Sequence, residues 1–163
     1  VLDVGQRRRL IRTAVSVVGA GLVANLVKLA VGRMRPRASI VDHIWDSFTG
    51  WFPRFLSNAP QGASSSDFGS FPSGHTIVAT ALAIGLSALY PRGRWLFACF
   101  AVLAALQRVE TLAHYASDTL AGAAIACLFC GLCFDPRLLG RWFDRWEDNA
   151  VGNRCDLPDE PLG

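Results

Sequence analysis

Three small groups of side chains, far apart along the chain, have types and spacings suited to chemistry on an oxyanion. The first is Lys28 with Arg35-Pro36, six residues lying between the two cations. The second is the run Pro72-Ser73-Gly74-His75. The third is Arg108, His114 and Asp118, separated by five residues and then three. Lysine offers a point charge, and arginine a planar fork that matches two phosphate oxygens. Lys28 is the only lysine in the chain and lies towards the end of an apolar stretch, where a charge is expensive enough to suggest a function. Pro72 suits the first turn of a helix, where its missing N–H is no loss. Ser73 and Gly74 would then leave backbone amides free at the positive end of the helix dipole, a ready anion site. Gly74, lacking Cβ, would also let an oxyanion come close to the backbone.

The histidines complete the pattern. His114 and Asp118 are four apart and share a face if their segment is helical. A carboxylate on one ring nitrogen fixes the tautomer and leaves the other nitrogen free to attack. His75 is then suited to protonate a departing alkoxide, since its ordinary pKa lies near working pH. Basic groups, a helix N-terminus and two histidines converging from distant parts of a sequence describe an anion site.

Lys28-x6-Arg35-Pro36, Pro72-Ser73-Gly74-His75 and Arg108-x5-His114-x3-Asp118 resemble the three signature motifs of the type 2 phosphatidic acid phosphatase family. Its superfamily also holds bacterial acid phosphatases and vanadium haloperoxidases. The resemblance spans residues 28 to 118 and runs on into Leu120-Ala121-Gly122. It implies phosphomonoester hydrolysis without metal or cofactor. Lys28, Arg35, Ser73, Gly74 and Arg108 would bind the phosphate. His114 would form a phosphohistidine, His75 would protonate the leaving group, and Asp118 would orient His114. One position departs from the pattern: Gln107 stands where the family usually has serine, which touches one hydrogen bond near the site and not the nucleophile.

The implied substrate is a lipid phosphate or pyrophosphate. Two other readings use the same residues, a soluble acid phosphatase and a vanadate-dependent haloperoxidase. A third, a catalytically silent lipid-binding membrane protein, is expected to have lost His75, His114 or Asp118, and all three are present.

The elements that must position these groups are strongly apolar. Of 163 residues, 52% are hydrophobic and 18% charged, below the ~25% charge of soluble domains, and mean hydropathy is +0.30. That composition excludes a disordered chain. A net charge of +3 without a basic stripe of interleaved aromatics disfavours a nucleic-acid module. Three of the five cysteines share one apolar run, so the chain is not a disulfide scaffold. Cys127, Cys130 and Cys133 would fan around a helix axis and not close on one metal ion.

Apolar stretches run from Leu10 to Val31, Thr76 to Tyr90, Trp95 to Leu106 and Thr119 to Phe134. The expectation is an all-α transmembrane bundle of four membrane helices, against a soluble, very apolar four-helix bundle as the alternative. Small residues such as Gly19, Ala20, Gly21 and Ala24, or Gly122, Ala123, Ala124 and Ala126, favour close packing in lipid. If the four cross in turn, Arg7, Arg8, Arg9, Arg12, Arg92, Arg94, Arg137, Arg141 and Arg145 share one side. Positive-inside orientation makes that side cytoplasmic. The three motifs then face outward, at the exterior of a bacterial cytoplasmic membrane, with membrane lipids as partners.

Two segments read either as interfacial amphipathic helices or as helices packing against a further part of the protein. One carries Ile44, Trp45, Phe48, Phe52, Phe55 and Leu56; the other carries Leu138, Leu139, Trp142, Phe143 and Trp146. Residues Ser57–Ser70 read as a loop, and His43, beside the first stripe, is given no catalytic role. Residues 1–148 form the expected phosphatase domain, and 149–163 a polar, disordered tail. The chain starts at Val1, and membrane members of the family usually have six helices, so it reads as an excerpt carrying the last four.

Overall fold

A computed structural model of the chain describes residues 4–38, 47–51, 65–141 and 145. Outside the described residues lie His43, Ile44, Trp45, Phe52, Phe55 and Leu56, positions 57–64 of the expected loop, Trp142, Phe143, Trp146, Cys155 and the tail 149–163.

Four helices dominate: α1 (Val4–Ala30), α2 (Gly74–Leu89), α3 (Arg94–Glu110) and α4 (Ala116–Phe134). At 1.5 Å per residue, the 27 residues of α1 reach about 40 Å, beyond the ~30 Å of a bilayer core. Two helical segments, Gly5–Ala30 and Ala116–Leu139, are long and apolar enough to cross a membrane. The 16 residues of α2 are apolar but reach only about 24 Å. The third apolar stretch continues as helix beyond Leu106 to Glu110.

Small side chains set the packing. Ala20 and Ala24 of α1, Ile77 and Ala81 of α2, and Ala126 and Cys130 of α4 form one buried cluster. A core built of alanine and cysteine brings helix backbones close, as in lipid-embedded bundles. The outward stripes are the reverse: Val18, Leu22 and Leu26 of α1, Leu120 and Leu128 of α4, and Trp95, Phe100, Leu103 and Leu106 of α3 are exposed. No residue of α3 is buried, although it packs beside α2 and walls an apolar cavity of about 690 Å³ with α2 and α4. Cys130 and Cys133 are buried and Cys127 exposed, so the three point different ways around α4.

The chain between α1 and α2 departs from the helical expectation. Phe48, Thr49, Gly50 and Trp51 form a strand, β2 (Phe48–Trp51), antiparallel to β1 (Val31–Arg33), with Gly32 opposite Gly50 and a bulge between Gly32 and Arg33. Aromatic and β-branched residues suit a pleated surface, and Gly50 weakens any helix there. The spacing that suggested an interfacial helix at Phe48 therefore belongs to a strand. Further on, Pro136–Gly140 forms a wide helical turn, and Leu138 and Leu139 are exposed.

Successive helices alternate in direction. At one end Arg9 donates to the carbonyl of Ala88 at 2.6 Å, joining the start of α1 to the end of α2. At the other end the last turn of α1, the first turns of α2 and α4, and the last turn of α3 come together.

Candidate active site

The first turn of α2 begins at Gly74, with Ser73 as its cap. The Ser73 hydroxyl receives the Thr76 hydroxyl at 3.0 Å and the Thr76 amide at 3.5 Å. Pro72 is therefore not in the first turn, as its sequence position suggested, but precedes the cap and is buried, joined to Phe71 by a cis peptide. The Ser73 amide is not free either: it donates to the Asp118 carbonyl at 3.0 Å. By helix geometry, the amides of Gly74 and His75, the first two of the helix, have no intrahelical acceptor and belong to the positive end of α2.

Around that terminus the motif residues assemble. A Cβ on Gly74 would stand 3.4 Å from Lys28 Nζ, so the ammonium at the end of α1 lies against the start of α2. His75 is exposed and lies within electrostatic reach of Arg108, His114, Lys28 and Arg35. Arg35 follows β1, and its amide donates to the Asp67 carbonyl at 2.8 Å. Its guanidinium is held below the ordinary arginine value by burial and by the neighbouring Arg37 and Arg108 charges, with Asp67 pulling the other way. Arg35 Nε is buried without an acceptor among the described residues. Arg108 lies in the last turn of α3, and its carbonyl receives the amides of Ala113 and His114 at 3.2 Å each, which ties the His114 turn to that helix. Gln107 Oε1 takes Arg108 Nε at 2.9 Å, which leaves the outer guanidinium nitrogens for other partners.

His114 and Asp118 do not share a helix. His114 lies in the turn before Tyr115, the cap of α4, and Asp118 is the third residue of α4. The His114 ring is 3% exposed, and its Nδ1 meets the carbonyl oxygen of Ser70 at 2.6 Å. The Asp118 carboxylate is 3.9 Å from Nδ1. A carbonyl can only accept, so in the neutral ring the proton sits on Nδ1 and Nε2 keeps its lone pair.

Asp118, fully buried, has further partners besides the His114 ring. One oxygen is ion-paired with Arg33. The other accepts the Ser70 hydroxyl at 2.5 Å and the Tyr115 amide at 3.0 Å, the latter capping α4. Arg33 and Ser70 are the residues that sequence reasoning missed. The signal for Arg33 was its place two residues before Arg35; Ser70 acts in part through its main chain, which no residue type advertises. Gly122 belongs here as well: a Cβ there would lie 2.7 Å from the Ser73 carbonyl, so α4 reaches the Ser73 loop only because this position lacks a side chain. Among the described residues, no group of three His, Cys, Asp or Glu side chains is placed to share a metal ion.

The site is a helix terminus ringed by Lys28, Arg35, Arg108 and two histidines in a mostly helical chain. The sequence over residues 9–137 matches the PAP2 superfamily, and the chain belongs to that superfamily. It is 40% identical over 129 residues to the lipid A 1-phosphatase of Rhizobium johnstonii, covering 73% of this chain and 48% of that protein. The lipid A 1-phosphatase of Rhizobium etli is 37% identical over 129 residues, 73% of this chain and 50% of that protein. The chain thus spans about half the length of the curated relatives it matches. No solved structure matches it.

Proposed function

We propose that the protein is a membrane lipid phosphatase that transfers a phosphoryl group from its substrate to His114 and then to water. The observation that carries this reading is the convergence on the α2 N-terminus: Lys28 Nζ lies against Gly74, and His75 is within reach of Arg108 and His114 from one distant stretch of chain and of Lys28 and Arg35 from another. Arg35 Nε adds support, because a buried donor without an acceptor is costly and a phosphate oxygen would satisfy it.

In the proposed reaction, Lys28, Arg35, Arg108, the Ser73 hydroxyl and the amides of Gly74 and His75 hold the phosphate oxygens and offset the charge of the transition state. His114 Nε2 attacks phosphorus; the P–N bond forms as the ester P–O bond breaks, and His75 gives its proton to the departing oxygen. Water then attacks phosphorus, its O–P bond forming as the P–N bond to His114 breaks and its proton passing to His75, and inorganic phosphate leaves. Asp118 acts from behind the His114 turn.

The substrate class is a lipid phosphate, and the two Rhizobium relatives put the 1-phosphate of lipid A first within it. All four helices cross the membrane in this reading. The exposed leucine, valine and aromatic stripes would face lipid or further membrane helices, and Arg8, Arg9 and Arg12 mark the cytoplasmic end. The site then opens at the periplasmic face.

The test is phosphate release from a panel of lipid phosphates, lipid A included, by the detergent-solubilised full chain with EDTA present. Native protein is expected to turn over at least one lipid, and His114→Ala to lose at least a thousandfold in kcat. Activity that survives His114→Ala, or that requires added metal, would overturn the mechanism.

A further inference from the structure

The geometry points to Arg33 and Ser70 as positioning residues for His114: the Ser70 carbonyl holds the ring, and the Arg33–Asp118 pair holds Ser70. The inference rests on His114 being the phosphoryl acceptor.

Among the described residues the nearest partner of Nδ1 is the Ser70 carbonyl at 2.6 Å, and the Asp118 carboxylate stands behind it at 3.9 Å. What fixes the direction of that carbonyl therefore helps fix the nucleophile. Ser70 is held twice. Its amide donates to the Arg33 carbonyl at 3.1 Å, next to a bridge pairing Arg33 with Gly69, and its hydroxyl donates to Asp118 at 2.5 Å. Both anchors return to Arg33, which is 2% exposed.

The Arg33 guanidinium is itself immobilised on every side. Nε donates to the Ser47 hydroxyl at 3.0 Å, and one terminal nitrogen donates to the Ser117 hydroxyl at 2.8 Å as well as to Asp118. The rings of Phe48 and Tyr115 lie 4.4 and 4.2 Å from its carbon. A charge buried this deeply is tolerated only when paired and hydrogen-bonded. These partners are all protein groups, and through them β1, β2 and the first turn of α4 are clamped to the Ser70 segment. The phosphate-facing arginines are Arg35 and Arg108; Arg33 works one layer behind them. Without the clamp, the Ser70 carbonyl can swing, Nδ1 loses its acceptor, and the ring is free to place its proton on Nε2, where it blocks attack.

The chain has three histidines, so [15N]histidine labelling gives three imidazoles, and His114→Ala assigns the one that matters. In the full native chain in detergent, His114 is expected to show a protonated Nδ1 and a bare Nε2. Ser70→Ala, a mild change that keeps the main chain, is expected to give a mixture of tautomers. It should also lower kcat by about tenfold to a hundredfold, the usual range for loss of a supporting contact, with KM changed less than twofold. Ser70→Thr, which keeps the hydroxyl, should restore both. Arg33→Lys, which keeps the charge and loses the fork, should behave like Ser70→Ala.

A native ring protonated at Nε2, or a tautomer that ignores Ser70→Ala, overturns the inference whatever the activity does. A tautomer that responds to Ser70→Ala in a chain that releases phosphate from no lipid leaves the positioning intact and overturns the phosphatase reading instead.

Discussion

Replacing Gly122 by alanine tests whether the Ser73 loop is held where the chemistry needs it. The added Cβ would start 2.7 Å from the Ser73 carbonyl oxygen and 3.3 Å from Ile77 Cγ1, whereas ordinary contact begins near 3.4 Å. The loop and α4 must therefore separate by roughly 0.7 Å. Neither partner yields easily. The Ser73 amide is tied to Asp118 on α4 itself, and the Ser73 carbonyl receives the Ile77 amide at 3.1 Å within α2. Overpacking of this kind costs about 1–3 kcal/mol, against a gain of about 1 kcal/mol from replacing a helical glycine. Net destabilisation of up to about 2 kcal/mol is expected, as a lower midpoint in thermal unfolding of the solubilised chain. The larger effect falls on activity, because a displacement approaching 1 Å between nucleophile and phosphate cradle costs up to about a hundredfold in rate. We expect kcat/KM for lipid phosphate release to fall by about tenfold or more. Gly131→Ala is the control: its Cβ would meet nothing within 4 Å, so helix propensity acts alone and activity is retained. A Gly122→Ala chain with native kcat/KM and the same rise in midpoint as Gly131→Ala would refute the reasoning.

Two further outcomes follow from the same geometry. Ser73→Ala removes the cap of α2 and a hydroxyl proposed to touch phosphate, so thermal unfolding should report a loss of about 1 kcal/mol while KM rises; a raised KM with unchanged stability would separate the two roles. Lys28→Met keeps the length and apolar stem of the side chain but deletes the ammonium beside Gly74, and kcat/KM should drop at least tenfold, the scale of a charge-assisted hydrogen bond, with helix content by circular dichroism unchanged.

Much of the site could be read before any coordinates. Lys28, Arg35, His75, Arg108 and His114 carry chemistry in their side chains, and three ordered motifs sufficed to predict that they meet. The long apolar runs likewise predicted the cores of α1 to α4, since apolar composition and small residues are local properties of the chain. Local reading failed where the answer depended on what a segment pairs with. Phe48 belongs to a stripe of helical spacing, yet it lies in a strand because β1 offers it a partner. Pro72 stands before the cap instead of inside the helix because Ser73 and Thr76 close the first turn without it.

The amino-acid order by itself determined the superfamily, the residue types available to a phosphate and the apolar character of the helices that carry them. Tertiary structure decided how His114 is held. A carbonyl oxygen is the same on every residue, so nothing in the letters marks Ser70 as the partner of His114; its direction is set by pairing with Arg33, 37 positions away. Spacing alone pointed to Asp118 as an orienting carboxylate, and it stands 3.9 Å from His114 Nδ1. Only tertiary structure added the buried arginine and the helix cap that also hold it, because a carboxylate out of water turns to the strongest donors within reach.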